Sequence, residues 1–119
     1  MLILIFLSLP VVSYAVSPEV LTVALESSGE SLSGQIAVAS VIKTRMKERG
    51  LSASEVVFQP HQFSCWKGEQ RVLSESEINT AQVAWDLALP GEYNHFMSAG
   101  MIPGTAKYKV NGKHLFYKL

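Results

Sequence analysis

The chain has 119 residues, with ten Lys plus Arg against ten Asp plus Glu and a single cysteine, Cys65. This length favours one domain, and the lack of net charge argues against a nucleic-acid partner, since polyanions are bound through an excess of cations. One cysteine cannot form an intramolecular disulfide. The three histidines, His61, His95 and His114, show no metal-ligand spacing, so neither a metal nor a cofactor is expected.

Residues 1–15 carry no charged side chain and form an apolar run interrupted by Pro10, with small residues at Ser13 and Ala15. This pattern is typical of a secretory signal peptide cleaved after Ala15. It is shorter than the roughly 20 apolar residues of a membrane-spanning helix. A buried N-terminal helix is the alternative, although Pro10 would interrupt it. The sequence thus predicts export to the periplasm, cell wall or medium, with the folded domain over residues 16–119.

The first predicted helix begins at Ser17-Pro18-Glu19, which supplies an N-cap, a proline at the first helical position and an acid in the first turn. An apolar stripe follows, and Gly29 is expected to end the helix. Glu26 then lies in the last helical turn.

A second helix is expected to begin at a cap formed by Ser31 or Ser33 and to run to Arg49, where Gly50 ends it. Its apolar positions are dense, which predicts that it is the central helix of the core.

Two capping-box patterns predict further helices, one from Ser52–Glu55 through Phe58 and one from Ser74–Glu77 to Pro90-Gly91. The segment between them, residues 59–73, has no hydrophobic period and is expected to be a loop. The apolar positions of the later helix are Ile78, Ala81, Val83, Ala84, Trp85 and Leu87. At this spacing Trp85 is expected in the core.

The C-terminal segments 106–110 and 113–117 flank Asn111-Gly112, a dipeptide typical of a two-residue hairpin turn. The predicted fold class is therefore α+β and mainly helical, with a short C-terminal β-hairpin.

Several segments match one family pattern. They are Leu25–Glu30, the helical segment Gly34–Ala39 with Thr44-Arg45 after it, the heptad Pro60–Trp66 (PHQFSCW), Asn94-His95-Phe96 and His114–Tyr117. Together they resemble the SleB-type cell-wall hydrolases, a family that includes spore cortex-lytic enzymes and related phage and bacterial lysins. The heptad at this distance from Glu26 is the most specific match. Leu25 and Ser28 replace the Gly and Arg of the family pattern.

The resemblance implies a small lysozyme-like domain that cleaves the glycan strand of peptidoglycan, with Glu26 as the catalytic acid. A glycosidic bond needs a proton donor, and many glycosidases add a second carboxylate as nucleophile or base. Here Asp86 lies inside a predicted helix and Glu30 lies beyond Gly29. A lytic transglycosylase with one catalytic Glu fits better, because the muramoyl 6-hydroxyl can then serve as the nucleophile.

Candidate substrate-binding residues lie mainly in the heptad. Phe63 and Trp66 can stack on sugar rings or fill the core under a loop, while Gln62 and Ser64 can hydrogen-bond sugar hydroxyls or N-acetyl groups. His95 is expected to line the cleft.

Other polar residues have a structural alternative. Glu30 can help position the site or make a cap or loop hydrogen bond. His114 is expected to be structural on its hairpin strand. Arg45 is expected to be a helix residue that is buried at the helix end or makes a salt bridge, rather than one that contacts a ligand.

Two other functions fit the sequence. Cys65 with His95 or His114 would make a cysteine peptidase or amidase that cuts the peptide part of peptidoglycan. A non-catalytic wall-binding module would use the aromatic residues alone. The short exported chain favours a periplasmic enzyme or a phage lysin, and the sequence leaves the oligomeric state open.

Overall fold

A computed structural model describes residues 16–60, 62–66, 71–100 and 107–119. The predicted signal peptide lies outside the described residues. The elements in chain order are α1 (Pro18–Ser27), α2 (Leu32–Arg49), α3 (Ala53–Val57), a 3₁₀ helix (Ser64–Trp66), α4 (Glu75–Leu87), β1 (His95–Ser98), β2 (Tyr108–Asn111) and β3 (His114–Tyr117). None of the helices in these ranges is long and apolar enough to span a membrane.

The predicted ends of the first two helices are confirmed. Pro18 occupies the first turn of α1, which ends at Ser27, two residues before Gly29. The Oγ of Ser31 caps α2 by accepting a hydrogen bond from the Gly34 N–H at 3.2 Å. At the other end Gly50 adopts φ 64°, a left-handed conformation that glycine enters without steric cost.

Both predicted capping boxes are also confirmed. At α3, the Glu55 N–H donates to Ser52 Oγ while the Ser52 N–H donates to Glu55 Oε1. At α4 the same reciprocal pair joins Ser74 and Glu77. Each box satisfies backbone donors that the helix itself leaves free, so the sequence encodes these helix starts locally.

The core lies where the helices pack on one another, with α2 contacting α1, α3 and α4. Its side chains are mostly small or β-branched, which lets the helix axes approach closely. The fully buried ones include Val20, Val23 and Ala24 of α1, Val38, Ala39, Val41 and Ile42 of α2, Val56 and Val57 of α3, and Ala81 and Ala84 of α4. The prediction that α2 is the central helix is therefore confirmed.

The structure corrects the interpretation of α4. Val83 and Leu87 are 47% and 58% exposed, so the core-facing stripe is narrower than the apolar pattern indicated. Trp85 is only half-buried and lies under the Lys43 ammonium, 4.7 Å from the ring centroid. Lys43 also donates hydrogen bonds to the carbonyls of Trp85 and Ala88, where a cation suits the negative end of the helix dipole.

The C-terminal part forms a three-stranded antiparallel sheet in the order β1-β3-β2. Only the hairpin was expected, and β1 is an additional strand that pairs His95 with Tyr117. The turn is also shifted by one residue: Asn111 pairs with His114, so the turn residues are Gly112 and Lys113 rather than Asn111-Gly112. Gly112, with φ 60°, takes the left-handed turn position.

The side chain of Glu30, just before α2, attaches this turn to the helices. Its Oε1 accepts a hydrogen bond from the Lys113 N–H at 2.6 Å. The contact is close, because a Cβ placed on Gly112 would lie 2.6 Å from Glu30 Oε2. At the opposite end of the strands, the Asn94 N–H donates to the Tyr117 carbonyl and its amide contacts Glu48 of α2.

We predict that Gly112→Ala destabilises the fold by about 1–3 kcal/mol, since it adds both a left-handed non-glycine residue and a clash with Glu30. Gly29→Ala is the matched control, because nothing lies within 4 Å of its Cβ position. Urea denaturation of both variants measures the difference. Equal midpoints would contradict the tight docking of the turn.

A second prediction concerns acid stability. Hydrogen bonds from Arg71 and from the Ser74 backbone lower the pKa of Glu77 from 4.5 to about 2. The ionised carboxylate therefore stabilises the fold above pH 4.5, and this contribution is lost as the pH falls toward 2. In Glu77→Gln the melting temperature should fall less between pH 7 and pH 3 than in the wild type. The exposed Glu75, changed to Gln, provides the control in the same helical turn.

Candidate active site

A cavity of about 290 Å³ lies between the helices and the sheet. Its lining comes from α1, α2, the loop before the 3₁₀ helix, β1 and β3. The lining residues are Glu26, Arg45, Gln62, Phe63, Phe96, Met97, Ser98 and His114. Among the described residues, segments that are far apart in the sequence thus combine one carboxyl group, one guanidinium, one imidazole and an aromatic wall.

Glu26 enters the cavity from the last turn of α1, as the sequence predicted. It is half-buried, and its Oε1 accepts a long hydrogen bond of 3.4 Å from the backbone N–H of Cys65. The heptad loop therefore contacts the carboxyl group through its backbone. Leu25 and Trp66 line a separate cavity with Leu21, Arg71, Leu73 and Ile78.

Arg45 has a larger part in the cavity than the sequence indicated. It is only 3% exposed, its Nε donates to the Asn94 carbonyl at 2.7 Å, and its guanidinium lies 5.1 Å from the Phe63 ring centroid. One terminal nitrogen, Nη1, is buried without a hydrogen-bond partner among the residues described. Burial lowers the pKa of Arg45 to about 10, so the side chain stays charged at neutral pH.

Aromatic rings form one continuous wall of the cavity. In this wall the Phe96 ring lies 6.1 Å from Phe63 and 5.2 Å from His114, the latter in an edge-on arrangement. Phe96 also lies 5.9 Å from the buried Phe116, which is not among the described lining residues. Such a surface can pack against the apolar face of a sugar ring. Phe63 therefore faces both the core and the cavity, which combines the two alternatives left open by the sequence.

His114 also lines the cavity, although the sequence favoured a purely structural role. Its Nδ1 is buried and lies 3.3 Å from Glu30 Oε1. Glu30 itself is not among the described lining residues. The Glu30 carboxylate contacts the hairpin turn and the Nδ1 of His114. It therefore contacts a lining residue without lining the described cavity itself.

The remaining predicted site residues occupy different places. Gln62 lines the cavity, and its Oε1 accepts a hydrogen bond from Arg49. Trp66 lies at the separate cavity, where its Nε1 donates to Thr22. Ser64 begins the 3₁₀ helix in what was predicted to be an irregular loop.

His95 is not among the described lining residues either. Its Nδ1 lies 2.8 Å from Asn94 Oδ1 and its ring packs on Tyr117. Burial and the nearby Arg45 and Arg49 lower the pKa of His95, which favours the neutral ring at pH 7. The structure thus brings together Glu26, Gln62 and Phe63 of the predicted site.

Sequence reasoning missed five lining residues. They are Arg45, Phe96, Met97, Ser98 and His114. A signal was present for Arg45, Phe96 and His114, because all three belong to segments that match the family pattern. Met97 and Ser98 carry no such signal, since a four-residue strand without alternation is not predictable locally.

Cys65 is adjacent to the Glu26 carboxyl group. Burial, together with the charge of Glu26 and a hydrogen bond to it, raises the pKa of the Cys65 thiol to about 12. A nucleophilic cysteine needs the opposite environment, one that stabilises the thiolate. The geometry therefore disfavours the cysteine peptidase hypothesis.

The sequence also matches a family model, described as Cell Wall Hydrolase, over residues 29–117. The chain belongs to the cell wall hydrolase family. The matched span includes Glu30, Arg45 and His114 and begins three residues after Glu26, so the assignment of Glu26 depends on its position in the cavity. The predicted enzyme class, a hydrolase that acts on peptidoglycan, is thereby supported.

The fold agrees with this family. It is similar to the crystal structure of the catalytic domain of the Bacillus cereus SleB protein, with a TM-score of 0.64 and 25% sequence identity. The similarity covers 90% of this chain and 95% of that one. The expected α+β, mainly helical class is confirmed. No curated protein matches the chain.

The raised pKa of Cys65 predicts slow alkylation. At pH 8 the rate with iodoacetamide should be at least about tenfold below that of a free thiol, whose pKa is near 8.5. The same chain unfolded in guanidinium chloride is the control and should react at the free-thiol rate. Fast alkylation of the folded protein would mean that the thiolate is accessible and stabilised.

Proposed function

We propose that this cell wall hydrolase cleaves the MurNAc–GlcNAc bond of the peptidoglycan glycan strand, with Glu26 as the catalytic acid. The observation that carries the proposal is the position of Glu26. It is the single carboxyl group among the described residues that line the cavity, and it faces a space bordered by an aromatic wall and the Arg45 guanidinium. This arrangement combines a proton donor with surfaces suited to a sugar.

Binding and chemistry can be divided among the lining residues. Phe63 and Phe96 offer aromatic surface to sugar rings, and the Gln62 amide and Ser98 hydroxyl can hydrogen-bond hydroxyl or N-acetyl groups. Trp66 and His95 would contact only a substrate that extends past this cavity. Glu26 protonates the leaving oxygen as the bond to the anomeric carbon breaks, the role that glycosidases give to a general acid.

The cavity favours a mechanism with one catalytic Glu. Of the two other candidates, Glu30 is held by the hairpin turn, and Asp86 is exposed on α4 with a hydrogen bond from Gln82. A second carboxylate is unnecessary if the substrate supplies the nucleophile. The muramoyl 6-hydroxyl then attacks the anomeric carbon and yields a 1,6-anhydro product, as in a lytic transglycosylase.

Access to peptidoglycan requires export. We propose that residues 1–15 act as a signal sequence and that residues 16–119 are the mature catalytic domain. The apolar, uncharged composition of residues 1–15 supports this role.

Mass spectrometry of the soluble products released from purified peptidoglycan tests the proposed function. We expect wild-type residues 16–119 to release anhydromuramoyl products and Glu26→Gln to lose at least about 10³-fold in rate, because an amide cannot donate the proton. Cys65→Ser should retain activity. Glu75→Gln, an exposed carboxyl group on α4, controls for the loss of charge.

Each alternative outcome has a definite meaning. Reducing-end muropeptides that depend on Glu26 would indicate hydrolysis by water instead of transglycosylation. Cleavage of peptide bonds that is lost in Cys65→Ser would support the cysteine enzyme. Binding to peptidoglycan without products would indicate a wall-binding module.

A further inference from the structure

We propose that His114 is a second acid–base residue of this enzyme and that Glu30 is its positioning residue. In this proposal His114 takes the proton from the attacking hydroxyl, while Glu26 serves the leaving group. The proposal rests on the glycan-cleaving function above. It follows from three features of the described cavity: the position of the imidazole, the fixed carboxylate behind it and the lack of another base in the lining.

The imidazole is held in a defined orientation. Its ring lies edge-on to Phe96 at 5.2 Å and 6.1 Å from Phe116. Nδ1 is buried against Glu30, whereas the ring also lines the cavity. The nitrogen available on the cavity side is therefore Nε2.

Glu30 is well placed to fix the ring tautomer. Its Oε1 accepts the Lys113 N–H at 2.6 Å, and its carboxylate packs against Gly112, so the side chain has little freedom to turn away. A carboxylate next to Nδ1 favours a proton on that nitrogen, which leaves a lone pair on Nε2. The 3.3 Å separation is not an aligned hydrogen bond, but catalytic contacts of this kind commonly tighten when substrate binds.

Other groups facing the cavity are poorly suited to accept a proton. Arg45 remains a cation at neutral pH. Gln62 and Ser98 have no basic group in this pH range. Glu26 must begin the reaction protonated in order to act as the acid. His114, beside the Glu30 carboxylate, is the remaining base among the described lining residues until Glu26 has given up its proton.

The proton balance of the step is complete. Glu26 gives its proton to the glycosidic oxygen as the C1–O4 bond breaks. Nε2 of His114 takes the proton of the attacking hydroxyl as the new C1–O bond forms. After the reaction, Glu26 is a carboxylate and His114 is an imidazolium. Transfer of a proton from His114 to Glu26 through solvent restores the enzyme. The imidazolium is stabilised by Glu30 in the meantime.

The first test is chemical rescue of the chain carrying His114→Ala. We expect the rate of product release to fall by about 10²–10⁴-fold, the usual contribution of an acid–base group. Added imidazole should raise the rate of this variant at least tenfold. Pyrazole, a ring of the same size and much weaker basicity, should not raise it. Equal rescue by both rings would show that His114 only fills space, and the proposal would fail.

The second test is the pH dependence of the initial rate. If His114 is the base, His114→Gln should lose a limb of the pH–rate profile that the wild type shows. Glu30→Gln, which removes the carboxylate beside Nδ1, should change the position of that limb. Glu75→Gln should leave the profile unchanged. A profile that is the same in all four proteins would overturn the proposal.

Circular dichroism melts of the variants separate loss of chemistry from loss of fold. Failure of this proposal is also distinct from failure of the proposed function. If Glu26→Gln is inactive while His114→Ala keeps wild-type rates, Glu26 acts alone. If Glu26→Gln stays active, the glycosidase function itself is wrong.

Discussion

The arrangement of the cavity depends on one buried cation. Arg45, on the central helix α2, donates to the Asn94 carbonyl at the start of the sheet and lies over the Phe63 ring of the heptad loop. Helix, sheet and loop therefore meet at a single guanidinium. Burying a charge is costly unless polar and aromatic partners compensate for it, and here they also define where the cavity walls stand.

Glu30 makes the second long-range attachment and connects stability with chemistry. The carboxylate that holds the Lys113 N–H also lies beside the His114 imidazole. The hairpin turn cannot shift without moving the ring that faces the cavity. This explains why glycine is needed at residue 112: a side chain there would displace the carboxylate, and the backbone is left-handed. Glu30 thus attaches the turn of this small sheet to the helices.

The heptad loop combines two tasks. Phe63 anchors it in the core, 4% exposed, and the Cys65 N–H contacts the Glu26 carboxyl group. Burial and the neighbouring carboxyl group raise the pKa of the Cys65 thiol, which disfavours the thiolate that a nucleophilic cysteine needs. Trp66 faces the opposite side and attaches the loop to α1 through Thr22. Phe63 and Trp66, which are close in sequence, therefore line different cavities. The 3₁₀ helix that begins at Ser64 lies between them in the chain and ends at Trp66.

The sequence by itself determined helices α1 to α4 and their caps, and it singled out Glu26 as the candidate acid. The helix ends depend on residues that are close in sequence, so they can be predicted from the sequence alone. The signals are the two capping boxes, the proline at the start of α1 and the left-handed Gly50. The strand β1, the one-residue shift of the hairpin turn and the exposure of Val83 and Leu87 were decided by tertiary packing. The cavity was likewise decided by tertiary packing. Arg45 meets an acceptor 49 residues away and Lys113 meets one 83 residues away. Contacts at such separations leave no periodic signal in the chain, because they depend on how the sheet packs against the helices rather than on local backbone preference.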